Sequence, residues 1–108
     1  MTPLDQTPLD HDHLARQTFG DAELARDLLM LFAGQCQRLL SEILDPSRPM
    51  AERADLAHTL KGSALGVGAG RVAAASAAVE DALRAGRDPG TAPLAEAVAA
   101  ALQAIPNG

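Results

Sequence analysis

Three clusters of turn-forming residues, Asp45–Pro49, Gly66–Gly70 and Asp88–Gly90, cut most of this chain into pieces of helix length. Prolines and glycines punctuate in this way because they break or redirect regular backbone. Within every piece, apolar residues recur three or four positions apart, the spacing of one helical face. Asp21 is placed to cap the first long piece, with Glu23 favouring the positive helix start. Leu24, Leu28, Leu31, Phe32, Leu39 and Ile43 then predict a helix over about 21–44, stopped before Pro46. Leu56, Leu60, Ala64 and Val67 predict a second over about 49–66. Val72, Ser76, Val79 and Leu83 carry a third that ends at Gly86, a natural C′ residue. Leu94, Val98, Leu102 and Ile105 give the last, with Thr91 as its candidate cap and Pro106 as its stop. Upstream, Asp10 or Asp12 can cap a short helix through Leu14 and Phe19, ending near Gly20, while residues 1–9 read as a loose lead-in.

No stretch alternates as a strand does. The expected fold is therefore all-α: an antiparallel four-helix bundle with a short additional N-terminal helix, one domain over residues 10–106. Hydrophobic residues make up 47% of the chain but aromatics only 2%, so the core must be built from Leu, Val, Ile and Ala. With Phe19 and Phe32 as the sole Phe, Tyr or Trp side chains, there is no platform on which nucleic-acid bases could stack. A net charge of −5 with scattered basic residues argues equally against a phosphate backbone as partner. Cys36 is the single cysteine, which rules out a disulfide within the chain, fits a reducing compartment and reads as a small buried hydrophobe. No signal peptide or 18-residue apolar run is present. The expectation is a cytoplasmic, free-standing protein with no membrane contact, monomeric because four helices can close their own core.

One residue stands out from this pattern. With His58 set at zero on a helical wheel, the apolar stripe Leu56, Leu60, Ala64 and Val67 falls between roughly 160° and 240°. The imidazole therefore points to solvent. Ala51, Ala54, Asp55, Lys61, Gly62 and Leu65 lie within about 60° of it, so its neighbours are mostly small and one is a lysine. Glycine inside a helix costs roughly 1 kcal/mol relative to alanine. Gly62 consequently has a reason to be there: clearance for an incoming partner, or a close helix–helix contact. A neutral imidazole is a good nucleophile, and an unperturbed one is mostly neutral at pH 7. Lys61 stands at i+3 from His58. Leu28–Phe32 is more apolar than one buried stripe requires, so part of it is expected to border the platform around His58.

His58-x-x-Lys61-Gly62, followed by Val67-Gly68-Ala69, resembles the signature of histidine-containing phosphotransfer (HPt) domains. Val79-Glu80 stands where that family has Leu-Glu, and small Ser76 where it often has Cys or another small residue. Phe19–Leu24 and Leu28–Phe32 are similar to its second helix, so the likeness spans about residues 10–105. Gly66 departs from the polar side chain common there, on one edge of the expected docking surface. The resemblance implies a phosphoryl carrier rather than an independent enzyme, shuttling between receiver aspartates of a multistep phosphorelay. His58 would be the phosphoacceptor, Lys61 would stabilise phosphoryl charge and Gly62 would give clearance. Ala51, Ala54, Asp55, Leu65 and Gly66 would meet the partner. That partner, a response-regulator receiver domain, would supply an aspartate and Mg²⁺, this chain binding no cofactor; a hybrid histidine kinase is a further candidate partner.

Other chemistries find few parts. His11 and His13 face apart at i,i+2 with no third ligand nearby, which argues against a metal site. Gly66–Gly70 follows a helix and lacks the Gly-Lys-Ser/Thr of a phosphate-binding loop. The alternatives are an HPt-shaped docking module that turns over no phosphate, and an adaptor holding a partner helix against Leu28–Phe32. A dimeric histidine-kinase helix pair would need an ATP-binding domain, for which 108 residues leave no room.

Overall fold

The computed structural model describes residues 8–105, which form five helices and, among those residues, no strand. They are α1 (His11–Gln17), α2 (Ala22–Ile43), α3 (Met50–Val67), α4 (Gly70–Arg84) and α5 (Ala92–Ala104). Residues 1–7 of the expected lead-in and the stop at Pro106 lie outside the described residues. Helix α3 is central: it packs on α1, α2 and α4, while α5 lies on α4 and closes the ring against α2.

Local chemistry sets most boundaries. Asp10, not Asp12, caps α1 by accepting from the His13 N–H at 3.0 Å. Asp21 caps α2 through the Glu23 and Leu24 N–H groups, both at 3.0 Å. Thr91 makes no side-chain cap on α5. Its φ of −93° and ψ of −11° are helical, not the extended values from which a cap side chain reaches back. Helix α1 stops at Gln17, short of Phe19, which takes φ +55° and stands 94% exposed. Helix α4 ends as expected, with Gly86 at φ +74° and the Arg87 N–H bonded to the Ala82 carbonyl.

The core joins Leu9, Leu14, Phe32, Ile43, Leu60, Val72, Val79, Leu83, Leu94 and Val98 with a set of fully covered alanines. Leu9, assigned to the lead-in, is thus a core residue. On α2 the buried face is Leu29, Phe32, Cys36, Leu39 and Ile43, and the expected Leu24 and Leu31 are exposed. Phe32, Leu39 and Ile43 fix the direction of that face; Leu29 and Cys36 share it, whereas Leu31 lies about 100° away. Cys36 is fully buried, and burial pushes its thiol up to about 12, so it is inert packing. Arg53 is buried as well; its Nε donates to the Ile43 carbonyl at 2.7 Å, placing a cation on the C-terminal end of α2. This bond pins the start of α3 to the end of α2 and fixes their antiparallel register.

Candidate functional site on the α3–α4 seam

Helix α3 presents His58 on its outer side, with 62% of the side chain exposed. The ring leans toward α4, where its Nδ1 lies 3.2 Å from each oxygen of Glu80. Glu80 is nearly covered, its side chain 11% exposed, although it is charged. Such burial is tolerated only with partners, and here there are three. Arg84 Nε donates to Oε2 at 2.9 Å, Lys61 Nζ stands 3.6 Å from Oε1, and the imidazole lies between them. Burial alone would raise the Glu80 carboxyl, but the hydrogen bonds from Arg84 and His58, with their charges, outweigh it and hold the group below its ordinary value. Arg84 also reaches back to α3, where Nη2 meets Asp55 Oδ1 at 3.1 Å.

These contacts assign the ring its tautomer. A carboxylate only accepts, so the hydrogen between His58 and Glu80 belongs to Nδ1. In the neutral ring Nε2 then carries the lone pair, and it is the nitrogen turned away from the seam.

A Cβ built on Gly62 meets nothing within 4 Å, and the same holds for Gly66. Close helix–helix packing is therefore not the reason for Gly62, and outward clearance is the reading left. Ala51, Asp55, Leu65 and Gly66 are exposed around the imidazole, Leu65 at 56%, and Lys61 is half-buried. Ala54 is a correction: it is fully buried and offers a partner nothing. The wheel centres α3's buried arc on the leucines, but burial extends further round the helix to include Ala54 and Ala57. Helices α3 and α4 pack on each other closely enough to bring Glu80 within reach of His58.

A second apolar feature lies on α2. Leu31 lies twelve residues before Ile43 and Leu65 twelve after Arg53, so the Arg53 bond places the two at one level of the α2–α3 pair. Leu31 is 71% exposed and Met30 50% exposed, at a shallow depression completed by Gly34, Gln35 and Arg38. The excess apolar character of Leu28–Phe32 is thus divided: Leu29 and Phe32 enter the core, while Met30 and Leu31 face solvent.

Sequence reasoning had marked His58, Lys61 and Gly62 but gave no role to Glu80 or Arg84. The signal was available in their i,i+4 spacing, which makes an ion pair on one helix. What the spacing lacks is the partner helix: only the crossing of α4 over α3 shows that the pair faces His58. Among the described residues, no three His, Cys, Asp or Glu side chains converge so as to hold a metal ion, and no helix is long and apolar enough to cross a membrane.

Searches of curated proteins and of solved structures found no match to the chain. A family model did match, that of the Hpt domain, over residues 26–108. The matched span includes α3 and α4 whole, and with them His58, Lys61, Gly62, Glu80 and Arg84. Hpt domains are helical bundles that carry phosphoryl groups on histidine in two-component signalling, partnering receiver domains and kinases, and act as carriers rather than independent catalysts. The chain belongs to the Hpt domain family.

Proposed function

We propose that this chain accepts a phosphoryl group on His58 Nε2 from the aspartyl phosphate of one receiver domain and passes it to the aspartate of another. The observation that carries the reading is the Nδ1–Glu80 contact at 3.2 Å on a ring 62% exposed, which turns the free lone pair outward. The Nε2 pair attacks phosphorus in line. The N–P bond forms as the P–O bond to the partner's aspartate breaks, and the carboxylate leaves with that bond's electrons. Positive charge then spreads over the ring, and Glu80 faces it through the Nδ1 hydrogen. Returning the pair to Nε2 reverses the step, so no proton has to move at either nitrogen. Lys61 meets the phosphoryl oxygens; as a half-exposed ion pair it contributes about 0.2–1 kcal/mol, enough to tune transfer and not to enable it. The receiver supplies the aspartate and a Mg²⁺ ion, which neutralises phosphoryl charge.

Support for a docked partner comes from the same face. Ala51, Gly62 and Gly66 leave the imidazole unobstructed, and Leu65, Leu31 and Met30 offer exposed apolar surface beside it. We assign these residues, with Asp55, to the receiver's footprint. The working location is the cytoplasm and the working unit a monomer. The test is transfer of labelled phosphate from a phosphorylated receiver to wild type and to His58→Gln. Wild type should take up label and the folded variant none. Equal labelling removes His58 from the reaction, and binding without labelling of wild type would favour a docking module that turns over no phosphate.

A further inference from the structure

Arg84 lies one turn beyond Glu80 on α4, and both its hydrogen bonds go to carboxylates: Nε to Glu80 Oε2 at 2.9 Å and Nη2 to Asp55 Oδ1 at 3.1 Å. One guanidinium therefore ties α4 to α3 across the seam that holds His58. Lys61 attends the other oxygen of Glu80 at 3.6 Å, an ion-pair distance longer than a good hydrogen bond. The carboxylate is gripped at one end and loosely accompanied at the other.

We propose that Arg84 is the positioning residue of the phosphoacceptor: it fixes Glu80, and through Glu80 the Nδ1–H tautomer of His58, and it remains as counter-ion when Lys61 turns to an arriving phosphoryl group. The inference rests on the reading of His58 as phosphoacceptor. Its physical basis is that one ammonium cannot serve two anions fully. Glu80 is nearly covered, and a covered carboxylate stripped of its cation is strongly disfavoured. Were Lys61 its only cation, every phosphorylation would set Glu80 and the phosphoryl group in competition for it. Arg84 resolves that competition, because its planar fork holds two carboxylates at fixed angles and neither of its hydrogen bonds needs to break when phosphorus arrives. Asp55 acts one step further out, restraining the guanidinium from α3.

The experiment uses the full chain in four forms: wild type, Arg84→Gln, Arg84→Lys and Asp55→Asn. Long-range ¹H–¹⁵N spectra of His58 read the tautomer before reaction. Phosphorylation by phosphoramidate, a small donor that loses ammonia as the N–P bond to His58 forms, gives a rate without any receiver. Wild type should show the single Nδ1–H tautomer. Arg84→Gln should show both tautomers and react on the order of tenfold more slowly, less than the roughly 100-fold that misplacing a reacting group costs. Arg84→Lys should restore most of the tautomer preference, and Asp55→Asn, which leaves Arg84 in place, should move both readouts in the same direction by less. An unchanged tautomer and rate in Arg84→Gln would overturn the inference while leaving His58 as phosphoacceptor. Should Arg84→Gln fail to fold, an unchanged tautomer and rate in a fifth form, Glu80→Ala, which removes the carboxylate through which Arg84 acts, would overturn it. Failure of the wild-type chain to take phosphate at His58 would instead overturn the parent reading.

Discussion

Two glycines six residues apart at the end of α3 serve opposite purposes. Gly68 takes φ +79°, and a Cβ there would lie 2.9 Å from the Asp10 carbonyl oxygen. The Asp10 N–H in turn donates to the Gly68 carbonyl at 2.8 Å, so the chain before α1 is seated against the end of α3. Gly62 has ordinary helical backbone and open space where its Cβ would be. The first glycine answers to the fold, which needs both the left-handed turn and the close approach. The second answers to nothing inside the molecule. A residue that costs helix stability and relieves no internal crowding points to something outside, and its neighbour one turn back is His58.

The contrast is broken most directly at Gly62. Replacement by Gln should leave the bundle folded while lowering transfer from a phosphorylated receiver on the order of 100-fold, because small misplacements of reacting groups cost that much. Unchanged transfer would remove the clearance role. At Gly68 the opposite pattern is expected. Gly68→Ala must hold an alanine at positive φ against the Asp10 backbone, a strain of about 1–3 kcal/mol. Thermal melting should fall by at least 4 °C, since about 1 kcal/mol shifts a domain of this size by roughly 4–8 °C. Phosphate uptake per folded molecule should stay near wild type.

Those two glycines also mark the limit of what could be read in the sequence. Gly68 sits in a cluster of turn residues, and the end of α3 followed from it directly. The outward direction of His58 was equally legible, because Leu60, Ala64 and Val67 fix the opposite face by periodicity alone. What periodicity cannot supply is how far burial extends to either side of a stripe. Periodicity puts Ala54 on the partner surface, yet it is fully buried; it puts Leu31 in the core, yet Leu31 is exposed and Leu29 is buried instead. Both errors come from side chains near the edge of a face, where the neighbouring helix decides. Glu80 and Arg84 escaped for the same reason at larger scale, being separated from His58 by 22 and 26 positions and joined to it only through packing.

A gentler change at Gly62 sharpens the comparison. Gly62→Ala adds a methyl group to open space and removes the backbone freedom of glycine, so denaturant unfolding should show a gain of about 0.5–1 kcal/mol. Gly66→Ala should gain similarly, and Gly68→Ala should lose. A loss at Gly62 would mean that its small size serves packing after all.

The smallest expected effect concerns the charge at the seam. Glu80 is held below its ordinary value by Arg84 and His58 against the opposing effect of burial. A carboxyl lowered on folding binds fewer protons in the native chain than in the unfolded one across the interval between its two values. Its contribution to stability is thus fully present above the unfolded value, near 4.3, and is lost as pH falls through the lower folded value. Asp45 is lowered too, by its bonds to Ser47, and adds a similar slope. Comparing wild type with Glu80→Gln cancels that second slope, because both chains keep Asp45. As pH falls from about 5, the stability difference between them should shift in favour of the variant below about pH 4. A difference that stays flat from about pH 5 to 3 would show that Glu80 gains no charge stabilisation from the seam, and with it would go the electrostatic half of the distinction between a glycine set by the fold and a site set for a partner.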